Sequence, residues 1–395
     1  MTAAATLPVE IFKGQDFYVP AFIVKVQNEE LERVVMNDIM NVTYTDSLKD
    51  VDSFDMTVNN WDASARTFDE QAFKYSNDST FNPWKDVELQ MGYYRNGRNE
   101  LRTMLIGEIT TMSPNFPQAG GPTLTVRGVN LFHRFRTKQE TKPFFKKKDS
   151  DIAKEIVNGI ATDLRKKSPQ LKLKLDEEDY SRNIKRENEI PYLLMNNQYP
   201  IRFLMERARD LGYELTMEEA SQGTNREVIF HYRPTSDVKR KTYLLEWGKS
   251  LISFQPTFQV SNQVAELTVR GWNPQTKKQI KVTVKRSEIK GLVTPSELGV
   301  QEGELNKKQE EIIDRPIQNE AEARQLATNM LKTICETLVE AKAKTIGVPD
   351  LRSGSKVEIK GVGSRFSGHY LVTSSTHSIG EAGYTTDFTG RMEKL

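Results

Sequence analysis

The pattern of hydrophobic residues changes character twice along the chain, and this constrains the fold more than any single motif does. Short strand-like runs, separated by Asn-, Gly- and Pro-containing turns, fill residues 1–136. Apolar residues at helical spacing follow in residues 137–241, and strand-like runs return in residues 242–395. Short strands with frequent turns are typical of a β-barrel or sandwich. We therefore predict a mainly β protein of the α+β class, in which two β-barrel-like domains flank an α+β insertion.

Helices are predicted in the insertion and in the last domain. In the insertion, apolar residues recur at three- and four-residue spacing in two stripes: Ile152, Ile156, Val157, Ile160 and Leu164, and then Ile201, Leu204, Met205, Ala208 and Leu211. Pro200 suits the start of the second helix and Gly212 its end. In the last domain, Asn319 and Glu322 have the spacing of a capping box. The apolar stripe that follows predicts one long helix over about 319–344.

A seven-residue sequence occurs twice. Leu124-Thr-Val-Arg-Gly-Val-Asn130 recurs as Leu267-Thr-Val-Arg-Gly-Trp-Asn273, with six of the seven positions identical. Two explanations remain open at this point. The similarity could be chance between two strands of similar propensity, or it could mark two related β domains separated by the insertion.

Charge and composition exclude several classes of function. The chain has 56 basic and 54 acidic residues, a net charge of +2, whereas nucleic-acid-binding domains carry a marked basic excess on one face. No apolar run approaches the roughly 20 residues needed to span a bilayer, and the N-terminus lacks a signal-peptide pattern. We therefore predict no nucleic-acid recognition, no stable membrane insertion and synthesis in the cytoplasm without a cleaved signal. The single cysteine, Cys335, is expected to be a buried thiol.

The residue types that carry catalysis form no known motif. Gly248-Lys-Ser250 lacks the glycine that a phosphate-binding loop needs five residues upstream, because Tyr243 stands there. The four histidines (His133, His231, His369 and His377) have no metal-ligand spacing. A glycosidase needs two carboxylates close together in space, and spacing along the chain cannot show such a pair. We therefore predict that the protein is not an enzyme and has no catalytic, cofactor-binding or metal site.

Several short motifs occur in order along most of the chain. An early strand motif spans Asp50 to Val58, and Gly-x-Ile and Gly-x-Asp elements follow at Gly107 to Ile109 and Leu124 to Asn130, with Asn130 in place of the aspartate. The later motifs are Gln198 to Gly212, Val264 to Pro274, Gly347 to Leu351, Gly354, Gly368 to His377, and Gly383 to Phe388. In this order they resemble the phage late control protein D family. That family includes baseplate hub proteins and the hub-like N-terminal part of type VI spike proteins.

The resemblance implies structural and not catalytic roles for the motif positions. These positions are Gly107, Gly128, Asn130, Gly212, Gly271, Trp272, Pro274, Gly347, Gly354, Gly368, His377 and Tyr384. It also implies that residues 1–136 and 242–395 are two similar tube domains. Three chains would then form a ring of six such domains, which accepts a sixfold inner tube on one side and a threefold spike on the other.

The function implied is therefore that of a baseplate hub in a contractile phage tail or tail-like injection system. The expected partners are two further copies of the chain, an inner tube protein, other baseplate components and a spike. Because the chain ends at Leu395 just after its last strand, we expect the spike to be a separate polypeptide. The expected location is an assembled tail or injection particle.

Three alternatives remain open. The protein could be a peripheral baseplate or tail-tip structural component that does not form the central ring. It could be a cell-wall hydrolase carried on the tail. A nucleic-acid-binding protein is a further class, and the balanced charge argues against it.

Overall fold

The computed structural model describes residues 8–11, 19–62, 72–95, 97–222, 225–273, 276–301, 303, 308–313, 317 and 319–395. The predicted class, α+β and mainly β, is confirmed. None of the helices in these ranges combines the length and the apolar composition that a membrane crossing requires. The domain limits stated above remain predictions.

The described residues up to 130 form eight strands and one short helix. In chain order they are β1 (Val9–Glu10), β2 (Pro20–Val26), β3 (Glu29–Glu30), α1 (Arg33–Asp38), β4 (Ile39–Ser47), β5 (Ser53–Asn59), β6 (Asp86–Arg95), β7 (Arg98–Asn115) and β8 (Thr123–Asn130). In β8, Leu124 and Val126 are buried, whereas Arg127 is exposed. This period of two is that of a sheet with one face on the core. A 3-10 helix, Leu131–Arg136, follows.

Helices and strands alternate in the middle of the chain. In order they are β9 (Glu140–Lys147), α2 (Asp149–Lys167), β10 (Leu171–Leu175), α3 (Glu177–Asn183), β11 (Ile190–Gln198), α4 (Pro200–Leu211), β12 (Tyr213–Gln222) and β13 (Asn225–Pro234). Both predicted helices form, and α4 begins at Pro200 and ends at Gly212 in the left-handed conformation. The strands form two small sheets, β9–β11 and β10–β13–β12, which are separate from the main sheet.

The C-terminal part contains nine strands and one long helix among its described residues. In order they are β14 (Thr242–Glu246), β15 (Leu251–Phe258), β16 (Glu266–Asn273), β17 (Lys278–Lys285), β18 (Gln309–Ile312), α5 (Glu320–Cys335), β19 (Val339–Ile346), β20 (Lys356–Lys360), β21 (Gly368–Gly380) and β22 (Gly383–Lys394). Gly380 and Gly383 pair at the turn of the hairpin that β21 and β22 form.

Ten strands from both ends of the chain form one continuous path in the main sheet. The order is β15–β19–β22–β21–β4–β5–β8–β7–β6–β2, and all nine pairings are antiparallel. Strands β20 and β14 branch from β21, and β1 adds to β14 in parallel. Among the described residues no pairing joins β15 to β2, so the sheet is open and is not a closed barrel.

The long strand β21 forms a seam between the two parts of this sheet. Its first residues pair with β20, and residues 374–379 pair with residues 42–47 of β4. On the face away from the core, hydroxyl groups meet across the seam, at 3.2 Å between Thr45 and Thr376 and at 3.4 Å between Thr43 and Ser378. The seam places residues more than 300 positions apart in the chain side by side.

The prediction that the last long helix reaches residue 344 is wrong. Helix α5 ends at Cys335, and residues 339–346 form β19. In β19 the side chains alternate between buried and exposed positions, and β15 and β22 pair with its two edges. Neighbouring strands on both sides therefore decide the conformation of a segment whose lysines and alanines also suit a helix.

The repeated sequence does not mark equivalent strands of two similar sheets. Its first copy lies in β8 within the ten-strand path, whereas its second copy lies in β16. Strand β16 belongs to a separate three-stranded sheet, β17–β16–β18, on which α5 packs. The two copies share the alternation of buried and half-buried positions only over their first residues, since Asn130 is buried and Asn273 is not.

Candidate functional site

Three carboxylates and one arginine meet inside the protein at the seam between β4 and β21. We call this group the Arg352 cluster, and its members are Tyr44, Asp46, Asp52, Glu219 and Arg352. Tyr44 and Asp46 lie on β4, Asp52 precedes β5, Glu219 lies on β12, and Arg352 lies between β19 and β20. The cluster therefore joins the first, middle and last parts of the chain.

A single guanidinium group faces all three carboxylates. Arg352 Nε lies 3.0 Å from Asp46 Oδ2, Nη2 lies 3.8 Å from Asp52 Oδ2, and Nη1 lies 3.5 Å from Glu219 Oε2. The guanidinium carbon also lies 5.0 Å from the centre of the Tyr44 ring, in cation–π geometry. Because all three carboxylates are buried, these ion pairs are poorly screened by water, and loss of one partner is costly.

The two aspartates also accept hydrogen bonds from the backbone. Asp46 accepts from the N–H groups of Ser353 and Ser375, each at 3.1 Å, and from the hydroxyl of Ser375. Asp52 accepts from the N–H of Ser47 at 3.3 Å. These bonds satisfy acceptors that burial removes from water, and they tie β4 to β21 and to the loop that carries Arg352.

Glu219 is the least satisfied member of the cluster. Among the described residues no donor reaches its two oxygens within hydrogen-bonding geometry, so the 3.5 Å ion pair with Arg352 is its main contact. Burial raises the pKa of Glu219 to about 7, and burial likewise raises the pKa of Asp52 well above its usual range. One arginine cannot neutralise three carboxylates, and burial therefore favours the protonated form of Glu219 in the folded state.

Glutamine at position 219 is expected to remove part of the pH dependence of stability. The folded pKa of Glu219, about 7, lies above the unfolded value of roughly 4.3. The folded state therefore binds more protons, and the contribution of this group to stability falls as pH rises from about 5 to 8. Relative to the wild type, E219Q should gain about 1–3 kcal/mol over that range. Urea unfolding of both proteins at several pH values measures the difference.

The exposed glutamate Glu178 provides the matched control for this measurement. Its side chain is 79% exposed, so E178Q should show no pH-dependent gain. A stability difference between E219Q and the wild type that stays constant from pH 5 to pH 8 would contradict the raised pKa.

His377 connects the cluster to the last strand. Its Nε2 lies 3.2 Å from Ser375 Oγ, and its Nδ1 lies 3.1 Å from the hydroxyl of Tyr384. Burial lowers the pKa of His377 to about 4, so the imidazole is neutral. Asp46, Ser375 and His377 do not form a nucleophilic triad. The carboxylate binds the serine hydroxyl and not the histidine, and all three residues are buried.

A cleft of about 320 Å³ lies beside the cluster, between β12 and residues 350–355. Its walls carry five acidic and five basic residues: Asp46, Asp52, Glu214, Glu218 and Asp350, and Arg233, Lys239, Arg240, Lys241 and Arg352. Several of these are already paired with one another, as Arg240 is with Glu214. The cleft therefore has no charge excess that would favour an ionic ligand.

The first three motif positions, which are Gly107, Gly128 and Asn130, lie near Asp52 of the Arg352 cluster. A Cβ atom on Gly107 would lie 1.8 Å from the carbonyl oxygen of Val129, so no side chain fits there. On Gly128 it would lie 2.3 Å from the ring of Phe54. Asn130 stands where the resemblance predicts aspartate, and its Nδ2 donates to Asp52 at 3.0 Å. An aspartate at this position would face another carboxylate, whereas the amide supplies a donor.

The later motif positions surround the seam. The hydroxyl of Tyr93 donates to the carbonyl oxygen of Gly347 at 2.7 Å, and the ring of Tyr384 would clash with a Cβ on that glycine. Gly354 adopts φ +83, in the left-handed region, and its carbonyl oxygen accepts from Arg240 at 2.6 Å. Gly368 begins β21.

The remaining motif positions lie away from the cluster. Gly212 ends α4, and Gly271 and Trp272 lie on β16 in the separate small sheet, where Trp272 is 58% exposed. Pro274 lies outside the described residues. The structure therefore brings the first and later motif positions together at the seam and leaves this third group apart.

Sequence reasoning missed Asp46, Glu219 and Arg352. The available signal was periodicity, because Asp46 follows Val42 and Tyr44 on the buried face of β4. Glu219 likewise shares the buried face of β12 with Met217. A charged residue at a position that alternation assigns to the core indicates a buried partner. The sequence does not show which residue that partner is.

One group of side chains has the separation of metal ligands. Oxygen and nitrogen atoms of Asp176, Asp179 and His231 lie within 4.8 Å of one another. Arg182 and Arg233, however, lie 3.3 and 3.4 Å from the Asp179 carboxylate. Burial acts to lower the pKa of His231, but hydrogen bonds to Asp179 and Glu218 outweigh it and raise that pKa to about 9. In this state the imidazolium and the two arginines form an ion-pair network around the Asp179 carboxylate.

The chain matches a known protein family over most of its length. The family model described as "Alg8 N-terminal domain" matches residues 18–174 and 213–381. These two segments cover most of the chain and include every described member of the Arg352 cluster. Comparison with curated protein sequences finds no match.

Solved structures of tail proteins share the fold along nearly the whole chain. The 43 kDa tail protein of prophage MuSo2 from Shewanella oneidensis is 12% identical, with a TM-score of 0.66 over 95% of this chain and 98% of that chain. The tail protein from Neisseria meningitidis MC58 is 12% identical, with a TM-score of 0.62 over 95% and 97%.

A type VI secretion protein shares the fold as well. An E. coli protein described as a component of the type VI secretion system, with structural similarity to T4 bacteriophage tail proteins gp27 and gp5, is 11% identical. Its TM-score is 0.54 over 93% of this chain and 76% of that chain. The resemblance to hub-like tail proteins that the motifs indicated is thus confirmed at the level of the fold.

Proposed function

The chain belongs to the Alg8 N-terminal domain family, and from the fold that it shares with tail proteins we propose that it is a structural baseplate hub of a contractile phage tail or tail-like injection system. In this role three copies form a ring. The ring adapts a sixfold inner tube to a threefold spike, and it acts through contact surfaces and not through catalysis.

The observation that carries the proposal is that the main sheet, apart from its two-residue strands β1 and β3, divides into two groups of six strands. One group contains β2, β4, β5, β6, β7 and β8, and the other contains β14, β15, β19, β20, β21 and β22. The two groups share a single seam between β4 and β21. Two groups per chain and three chains supply six groups, which is the number needed to face a sixfold tube while keeping threefold symmetry.

The Arg352 cluster has a structural role in this proposal. It lies at the seam between the two six-stranded groups and also contacts β12 of the middle part. A buried network of this kind holds one relative orientation of the elements it joins. The angle between the groups sets the curvature of the ring, so the cluster would hold each chain in the shape that three copies need to close.

The proposed partners follow from the same role. They are two further copies of this chain, an inner tube protein, other baseplate components and a spike that is a separate polypeptide. The protein would be made in the cytoplasm and incorporated into an assembled particle. Its motif positions would act in packing. Gly107 allows the backbone of Val129 to lie close to it, and Gly347 allows the ring of Tyr384 to do the same.

The hydrolase alternative receives no specific support from the geometry. Its best candidates would be Asp46 and Asp52, which line the cleft. Both are buried, and both face Arg352 within 3.8 Å. A glycosidase needs carboxylates that a sugar can reach from either side of the bond to be cleaved.

The mass of the purified protein in solution tests the hub proposal. Light scattering and native mass spectrometry should give a trimer, alone or with a candidate spike protein from the same particle. The same preparation should release no soluble fragments from peptidoglycan. A protein that stays monomeric even with the spike present would refute the central-hub role and favour a peripheral baseplate component. Peptidoglycan release abolished by D52N would favour the hydrolase.

A further inference from the structure

The ten-strand path has two different open ends. Among the described residues, strand β15 pairs with β19 and forms one isolated bridge, between Leu251 and Trp247. Strand β2 pairs with β6 and, over residues 25–26, with the short β3. No other strand among the described residues pairs with the outer edges of residues 251–258 or 20–23. Sheet edges of this kind present unpaired N–H and C=O groups to any strand that approaches.

The directions of the two end strands are opposite. All nine pairings along the path are antiparallel, so strand direction alternates, and ten is an even number. A rotation about a ring axis keeps the direction of each strand relative to that axis. Strand β15 of one copy and β2 of the next copy would therefore run antiparallel, which continues the alternation of the sheet without a break.

Neither open edge carries the charges that protect an edge in a monomer. Residues 251–258 read Leu-Ile-Ser-Phe-Gln-Pro-Thr-Phe, and residues 20–24 read Pro-Ala-Phe-Ile-Val. Exposed edges are usually blocked by lysine or other charges, by proline or by a covering element. Pro20 and Pro256 lack an N–H group, so residues 21–23 of β2 and 251–255 of β15 form the parts that can pair fully.

The buried faces of the two end strands lie on the same side of the sheet. Phe22 and Val24 of β2 pack in the core of the first group, and Phe254 and Phe258 of β15 pack in that of the second. Cross-strand pairs connect these two cores along the whole path, for example Tyr44 with His377. Antiparallel pairing of β2 with β15 can therefore keep apolar side chains together on one face.

From these observations we propose that neighbouring protomers join head-to-tail by antiparallel pairing of β15 of one copy with β2 of the next. The proposal rests on the proposed function, which supplies the ring of three. It identifies the occupant of each open edge as a second copy of this chain. A contact between two different edges is heterologous, and three such contacts close a ring.

The position of β3 is consistent with this pairing. It covers β2 only at Lys25 and Val26, beyond the open residues 20–23. When residues 20–23 lie opposite residues 251–254, β3 lies beyond the N-terminal end of β15. The outer sides of β4 and β14 are less available for a second copy, because β21 already pairs with β4 and β1 already pairs with β14.

Cysteine cross-linking tests the pairing directly. Ala21 lies on the face of β2 away from the core, and Ser253, Gln255 and Thr257 lie on the matching face of β15. Ala21→Cys is combined in turn with Ser253→Cys, Gln255→Cys and Thr257→Cys. These three pairs sample the registers that keep the buried faces aligned. The native Cys335 is 2% exposed and contributes little background.

The expected result is that at least one pair gives covalent dimers and trimers as the main species after mild oxidation. The single variants, and Ala21→Cys with Asn158→Cys on the exposed face of α2, should remain uncross-linked. If light scattering shows a trimer and all three pairs stay monomeric on a denaturing gel, the strand pairing is refuted and the hub remains. If no trimer forms even with the spike, both the proposed function and this inference are refuted.

Discussion

Replacing Arg352 with leucine is expected to destabilise the protein by about 3–5 kcal/mol at neutral pH. The substitution leaves Asp46, Asp52 and Glu219 buried without their shared cation. It also removes the cation–π contact with Tyr44. At pH 5 the loss should be smaller, because the remaining carboxylates can take up protons in the folded state. Urea unfolding at both pH values measures the two free energies.

The control for this prediction is an arginine whose ion pair is exposed. Arg202 is 71% exposed and pairs with Glu206 one helical turn away. Its replacement by leucine should change stability by less than about 0.5 kcal/mol. A loss below about 1 kcal/mol for R352L, or a loss that does not depend on pH, would show that the cluster is not the buried network described above.

Alanine at Gly107 is expected to destabilise the protein by about 3 kcal/mol or more. The added Cβ would lie 1.8 Å from the carbonyl oxygen of Val129 and 2.9 Å from the Cα of Asn130. Both obstacles are backbone atoms of the adjacent strand β8, which cannot move without breaking the pairing of β7 with β8. The fraction of soluble protein and the midpoint of thermal unfolding report the effect.

Gly159 is the matched glycine for this experiment. It lies inside α2, and a Cβ there would meet nothing within 4 Å. G159A should therefore stabilise the protein by about 0.5–1 kcal/mol, because alanine loses less backbone freedom than glycine in a helix. Equal effects of the two substitutions would mean that the close approach at Gly107 is relieved by a small shift of the strands.

Local patterns were sufficient wherever neighbouring residues in the chain decide the conformation. The stripe beginning at Ile152 became the buried face of α2. Pro200 and Gly212 became the start and the end of α4. The glycines at 380 and 383 formed the turn of a hairpin. In each of these elements the favoured local conformation also satisfies the tertiary contacts, so the sequence signal and the fold agree.

Local patterns failed where distant partners outweigh them. Residues 339–346 include lysines and alanines, which suit a helix. They form strand β19 instead, because β15 pairs with one of its edges and β22 with the other. The two copies of the repeated sequence differ at one position of seven, yet they belong to different sheets. Strand pairing over long sequence separations is a property of the whole fold and leaves no signature in a short window.

The sequence by itself determined the α+β class, the mainly β character, the α+β nature of the middle segment and the order of the motifs that resemble hub proteins. Only the tertiary structure decided which strands share the seam and which charges meet there. Asp46 and Arg352 are 306 residues apart in the chain, yet Nε and Oδ2 lie 3.0 Å apart. The physical reason is that periodicity reports which side of an element is buried, whereas the partner on that side depends on how all the elements pack.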